Sequence, residues 1–171
     1  LIPYEPDLVQ GIKVASPTSE DELRNQAAIA IYVIDEIMKP GVLYILGPGT
    51  TTRTITDLLD GNKTLLGVDL LCDKKIVAHD VSEKTILEMI QERDTKIVVT
   101  PIGGQGFIFG RGNQQISSSV IRQVGTENIV VIATKSKISQ LGKLRVDTGD
   151  PLLDKDLQRQ INVITDYKEH T

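Results

Sequence analysis

A chain of 171 residues with 40% apolar and 25% charged side chains has ordinary globular composition and is long enough for one α/β domain with its own core. Lysine and arginine total 19 against 23 aspartates and glutamates, a formal net charge of −4 with no basic run; this excludes a phosphate-tracking nucleic-acid surface but leaves room for a small anion. One cysteine, Cys72, and two histidines, His79 and His170, exclude an intrachain disulfide and a zinc site, and the lack of any 18-residue apolar run argues against a membrane span, so a cytoplasmic location is expected.

Residues 1–17 read as an extended, proline-bearing segment. They are expected to link a preceding N-terminal domain to 18–171, a single α/β domain. Ser19 and Glu22 make a capping-box pattern, and Leu23, Ala27, Ala30, Ile31, Ile34 and Ile37 follow at helical spacing, which predicts a long helix ending near Lys39-Pro40-Gly41. Val42–Leu46 is a continuous apolar run, the pattern of a strand buried on both faces. It enters Gly47-Pro48-Gly49-Thr50-Thr51-Thr52, where glycines let the backbone approach a ligand and the threonines open a helix whose free N–H groups and dipole favour an anion. Pro48 removes one donor, so the amides of Gly49 through Thr52 are the expected phosphate contacts, with the three hydroxyls as further donors. A tight connection with threonine capping explains the same residues without a ligand.

The next strand is predicted over Leu65–Val68, ending at Asp69, 22 positions after Gly47. A Rossmann unit places a ribose-binding carboxylate at about this spacing, which makes Asp69 a candidate nucleotide reader; a strand-end cap is the alternative. A short hairpin turning at Asp73-Lys74-Lys75, a helix capped by Ser82 and a β-branched strand at Lys96–Thr100 follow. His79 lies in the charged hairpin and reads as a solvated imidazole, and Cys72 as a small buried residue.

A second glycine-dense loop then carries Gly103, Gly104, Gly106, Gly110 and Gly112 beside Arg111, Asn113 and Gln114. Arg111 can fork onto a phosphate, and Asn113 and Gln114 can pair with an amide or base edge, so the loop is expected to close over a ligand. The alternative is a self-packed loop or subunit contact that buries Phe107, Ile108 and Phe109, the two phenylalanines facing the same side. Beyond it come a helix through Val120–Gln123, a strand at Asn128–Ala133, a helix at Lys135–Leu141, a strand at Leu144–Val146, a helix begun by Asp150-Pro151 and a last strand at Ile161–Ile164. Asp147 and Asp150, with Asp154, can supply oxygen ligands to Mg²⁺, while Asp150 before Pro151 equally makes a helix cap. Alternating strands and helices predict a three-layer α/β fold with a mainly parallel, Rossmann-like sheet and helices on both faces, and both glycine loops fall at strand C-terminal ends.

The runs Tyr44–Arg53, Leu65–Asp69, Val99–Ile116 and Val146–Asp150 together resemble the C-terminal region of the ATP-NAD kinase-like family, the predicted polyphosphate/ATP-NAD kinases. The resemblance covers nearly the whole chain. It implies a phosphotransferase converting ATP and NAD to NADP, with ATP or NAD(P) as bound nucleotide, Mg²⁺ through another domain, a covalent N-terminal kinase domain and a homo-oligomeric assembly. The family's Gly-Gly-Asp-Gly turn has no counterpart here: Gly103-Gly104-Gln105-Gly106 carries glutamine where the acid belongs, so this chain alone is expected to be inactive. The Gly-Pro-Gly-Thr-Thr-Thr turn is also similar to the phosphate turns of the sugar-phosphate isomerase and CoA-transferase superfamily. A phosphometabolite-sensing domain and a dimerisation lobe without catalysis are therefore the alternatives to a nucleotide lobe.

Overall fold

A computed structural model describes residues 19–64 and 66–171, so the extended segment expected over 1–17 lies outside the described residues. Helix α1, Glu20–Tyr32, starts as its sequence predicts, with Ser19 Oγ accepting the Glu22 N–H at 3.0 Å. A π-helical turn, Val33–Ile37, continues it, and Tyr44 fixes its end. The buried phenol accepts the Lys39 N–H at 2.7 Å and donates to the Ile37 carbonyl at 3.1 Å. Burial pushes its pKa up, which the Lys39 hydrogen bond only partly offsets, so the hydroxyl stays a donor at neutral pH.

The remaining elements are β1 (Leu43–Leu46), α2 (Thr50–Leu58), β2 (Asp69–Cys72), β3 (Lys75–Ala78), α3 (Glu83–Met89), β4 (Thr95–Val99), β5 (Phe107–Phe109), α4 (Ser118–Val124), β6 (Ile129–Ile132), α5 (Lys135–Leu141), β7 (Arg145–Val146), α6 (Pro151–Gln160), β8 (Val163–Asp166) and β9 (Glu169–His170). Strands β1, β4, β6 and β8 lie parallel at the centre of a seven-stranded sheet ordered β3-β2-β1-β4-β6-β8-β9, and each edge is closed by an antiparallel hairpin. Side chains alternate across it with period two. Tyr44 and Leu46 meet Ile29 and Ala30 of α1, Val33 of the π-helical turn and Ile55 of α2 on one face. Leu43 and Ile45 join Ile86 of α3, Val120 of α4 and Leu153 of α6 on the other. The chain thus forms the expected three-layer, Rossmann-like α/β fold with helices on both faces.

One strand differs from its expectation. Leu66 is 78% exposed, and the ladder begins rather than ends at Asp69, pairing antiparallel to β1 with Asp69 beside Leu46. The chain then turns into β3 through a tight hairpin, in which Asp73 and Lys74 both sit at positive φ (51° and 63°), the two-residue turn whose twist matches paired strands. Lysine carries a steric cost there that glycine avoids, whereas Asp73 accepts the Gly41 N–H at 2.9 Å and should stay. Lys74→Gly is expected to stabilise the protein by about 0.5–1 kcal/mol, read as a higher denaturant midpoint at unchanged slope. An unchanged or lower midpoint would show that the turn is not limiting.

Candidate functional site

The parallel strands deliver two loops to one end of the sheet, and they leave it on opposite faces. After β1 the chain turns toward the α1/α2 layer; after β4 it turns toward the layer of α3, α4 and α6. Such a divergence leaves a crevice between the strand ends, where open α/β sheets hold ligands. Here a cleft of about 360 Å³ is lined by Thr50 and Thr51 from the first loop, Thr100 and Pro101 from the second, Glu22 and Gln26 from α1, and Lys137 and Gln140 from α5.

The glycine turn is built for close approach. Gly47 extends the β1–β4 ladder by donating to the Val98 carbonyl at 3.0 Å. Gly49 caps α2 at φ 130° and ψ 162°, a conformation almost confined to glycine, and a Cβ there would overlap Thr100 Cγ2. Thr52 is fully buried and its hydroxyl turns inward, donating to the carbonyls of Gly47 at 2.7 Å and Gly49 at 3.0 Å. It locks the turn and has no free donor left for a ligand. The first helical hydrogen bond of α2 runs from Arg53 N–H to Gly49, so the amides of Gly49, Thr50, Thr51 and Thr52 have no acceptor among the described residues. Thr51 and Thr100 are 5% and 4% exposed, line the cleft and make no side-chain hydrogen bond among the described residues. Both hydroxyls are open to the cleft and can donate to a molecule held in it.

Neighbouring elements close the rest of this sheet end. Glu22, read from sequence as half of a capping box, instead accepts the Thr134 hydroxyl at 2.7 Å. Asn25 accepts the Lys135 N–H at 2.8 Å and donates to the Thr165 carbonyl at 2.7 Å. These bonds pin the first turns of α1 over β6 and β8, and the opening is left above β1 and β4. Gln26 is 8% exposed and donates to the Thr50 hydroxyl at 3.4 Å, while Lys137 has no ion-pair partner among the described residues. Glu22, Gln26, Thr100, Lys137 and Gln140 were not legible as site residues. Only Thr100, at a strand end before Pro101, carries a local signal. A groove of about 420 Å³ at the opposite, N-terminal end of the strands, lined by Ile90, Arg93, Lys96 and Asn128 among others, has no glycine turn.

The second glycine loop does not gather on this crevice beyond its root at Thr100 and Pro101. Gly103 and Gly104 face open space, and Gly106 packs against the Lys143 carbonyl. Arg111 stacks on the Phe107 ring at 4.5 Å, Gln114 is exposed, and Asn113 is fully buried, donating to the Ile108 carbonyl at 2.9 Å beside Gly47. The loop is self-packed: β5 pairs in parallel with β7, and Ile108 and Phe109 enter the main core. A register irregularity between Phe107 and Phe109 separates the two rings that were expected to face one side. Phe109 is buried, whereas Phe107 stays half-exposed beneath Arg111.

Asp69 also has other work. It is fully buried, its two oxygens accept the N–H groups of Thr64 at 2.6 Å and Asp80 at 2.7 Å, and His79 Nδ1 lies 3.6 Å away with its side chain 55% exposed. Burial pushes the carboxyl pKa up, but the two N–H donors and the Lys63 ammonium outweigh it and hold the group below its ordinary value. The carboxylate is sealed from solvent, so a ribose could reach it only by unmaking this arrangement. Asp150 caps α6 by accepting the Leu153 N–H and pairs with Arg122 at 2.6 Å; Asp154 accepts from Thr148, and Asp147 is exposed. Among the described residues no cluster of three or more His, Cys, Asp or Glu side chains could hold a metal ion, and no helix is long and apolar enough to cross a membrane.

A family model described as the ATP-NAD kinase C-terminal domain matches residues 40–171. No curated protein and no solved structure matches the chain.

Proposed function

Because the chain belongs to the ATP-NAD kinase C-terminal domain family, we propose that it is the lobe that holds the phosphate of a nucleotide, ATP or NAD(P), in the crevice between β1 and β4. The observation that carries this reading is the set of unspent donors there: the amides of Gly49–Thr52 at the positive end of α2, the hydroxyls of Thr51 and Thr100, and the Lys137 ammonium. All of them suit an oxyanion. The glycine turn brings the backbone close, and Thr51 and Thr100, largely buried, add hydroxyls at the cleft wall.

In this reading the chain binds and orients but does not catalyse. Transfer of a γ-phosphoryl group to a ribose hydroxyl needs in-line positioning, charge neutralisation and a residue that orients the attacking oxygen. The crevice supplies positioning and donors. The acid of the Gly-Gly-Asp-Gly turn is not among these 171 residues, so it and any Mg²⁺ would come from another domain.

Calorimetric titration with NAD, NADP, ATP and inorganic phosphate tests the site. Saturable binding of a nucleotide, tighter than phosphate and weakened at least tenfold by Lys137→Glu, is the expected result. A Thr51→Val variant should lose severalfold, the worth of one hydrogen bond to a charged group. Absence of binding by every phosphate-bearing ligand would overturn the proposal.

A further inference from the structure

We infer that the crevice reads the phosphorylated sugar of its ligand and leaves the base unread, so that it accepts ribose phosphates whatever base they carry; this rests on the phosphate-holding reading of the same crevice.

The lining is the first reason. Among the described residues no aromatic side chain contributes to the cleft, nor to the groove of about 420 Å³ that adjoins it through Ser19, Glu22 and Ser136. Base recognition relies on stacking faces and edge-directed amides. In the second loop Phe109 is in the core and Phe107 lies beneath the Arg111 guanidinium, while Asn113 donates to the Ile108 carbonyl and keeps a buried Oδ1 without a partner among the described residues. Size is the second reason. Ligand clefts span roughly 300–1,000 Å³, and about 360 Å³ lies at the small end, suited to a sugar phosphate rather than a whole dinucleotide.

The distribution of donors and acceptors is the third. One side of the cleft, Thr50, Thr51, Thr100 and Lys137, offers donors to a phosphate. The α1 side offers Glu22, a carboxylate that only accepts while ionised, with Gln26 beside it. A second phosphate there would be repelled, whereas sugar hydroxyls would be received as donors. Glu22 is therefore assigned as the residue that distinguishes a sugar phosphate from a bare anion.

The test is a titration series with AMP, GMP, CMP, UMP, ribose 5-phosphate, adenosine and inorganic phosphate, on the wild-type chain and on Glu22→Gln. The four monophosphates and ribose 5-phosphate should bind within about threefold of one another and at least tenfold tighter than phosphate, and adenosine should not bind. Glu22→Gln keeps an acceptor for Thr134; it should shrink the advantage of ribose 5-phosphate over phosphate severalfold while leaving phosphate affinity equal or higher. A loss of both affinities together would mean that Glu22 only clamps α1, and would overturn its assignment. A preference of tenfold or more for one base would overturn base-blind recognition while leaving the crevice as a phosphate site. Failure of phosphate and all phosphate esters would remove the phosphate-holding reading itself.

Discussion

Asp69→Ala should destabilise the domain by about 3–5 kcal/mol, the usual cost of removing one partner from a buried charge arrangement. The carboxylate is fully buried, both its oxygens accept backbone N–H groups, and deleting it leaves the part-buried donors of Thr64 and Asp80 without their acceptor. It also removes the counter-charge of Lys63. That ammonium is 8% exposed, donates to the Gly67 carbonyl at 2.8 Å and has its pKa lowered by burial, against the pull of Asp69 and Asp80. Denaturant unfolding at neutral pH measures the loss; a change under 1 kcal/mol would return Asp69 to the candidates for ligand contact. Nucleotide affinity of the molecules that remain folded should be unchanged, since Asp69 is fully buried and does not line the crevice.

The pH dependence has a definite sign. A carboxyl held below its unfolded value of about 3.9 contributes stability that is fully present above that pH and lost as pH falls through the native value. The stability gap between wild type and Asp69→Asn should therefore be flat at neutral pH and narrow from about pH 4 downward, where the unfolded carboxyl takes up a proton that the native one still resists. A gap that instead widens in acid would contradict the depressed pKa.

Asp69 also shows what can and cannot be read from sequence. Its distance from Gly47 suits a ribose-binding acid, but spacing is silent on strand direction. The chain returns from α2 to run antiparallel to β1, and nothing local to Asp69 signals that direction. Local chemistry was legible: the continuous apolar strands, the Ser82 and Asp150 caps and the Gly47–Thr52 turn depend on residues adjacent in the chain. The walls of the crevice were not. Glu22 and Thr134 meet across 112 positions, and neither amphipathic periodicity nor capping patterns encode that contact. The second glycine loop is a related case. Its glycines look like flexibility, yet at Gly110 a Cβ would overlap the Asp147 carbonyl, so the residue serves close packing of β5 against β7.

Gly49→Ala should have the second large effect, because it violates two constraints that separate experimentally. The backbone conformation, φ 130° and ψ 162°, costs an alanine about 1–3 kcal/mol. Overlap of its Cβ with Thr100 Cγ2 adds about 1–3 kcal/mol of overpacking. Thr100→Ser removes that methyl and keeps the hydroxyl facing the cleft, so in the Gly49→Ala background it should recover the steric share and leave the conformational one. In a double-mutant cycle the two substitutions are expected to couple by about 1–3 kcal/mol; additivity within 0.5 kcal/mol would show that the turn relaxes away from Thr100. Ligand affinity should follow a different course. The amides of Gly49–Thr52 are aimed by the glycine conformation itself, so the double variant, although restabilised, should still bind phosphate at least tenfold more weakly than wild type. Recovery of both stability and affinity on adding Thr100→Ser would mean that the glycine serves packing alone and that the anion is held elsewhere.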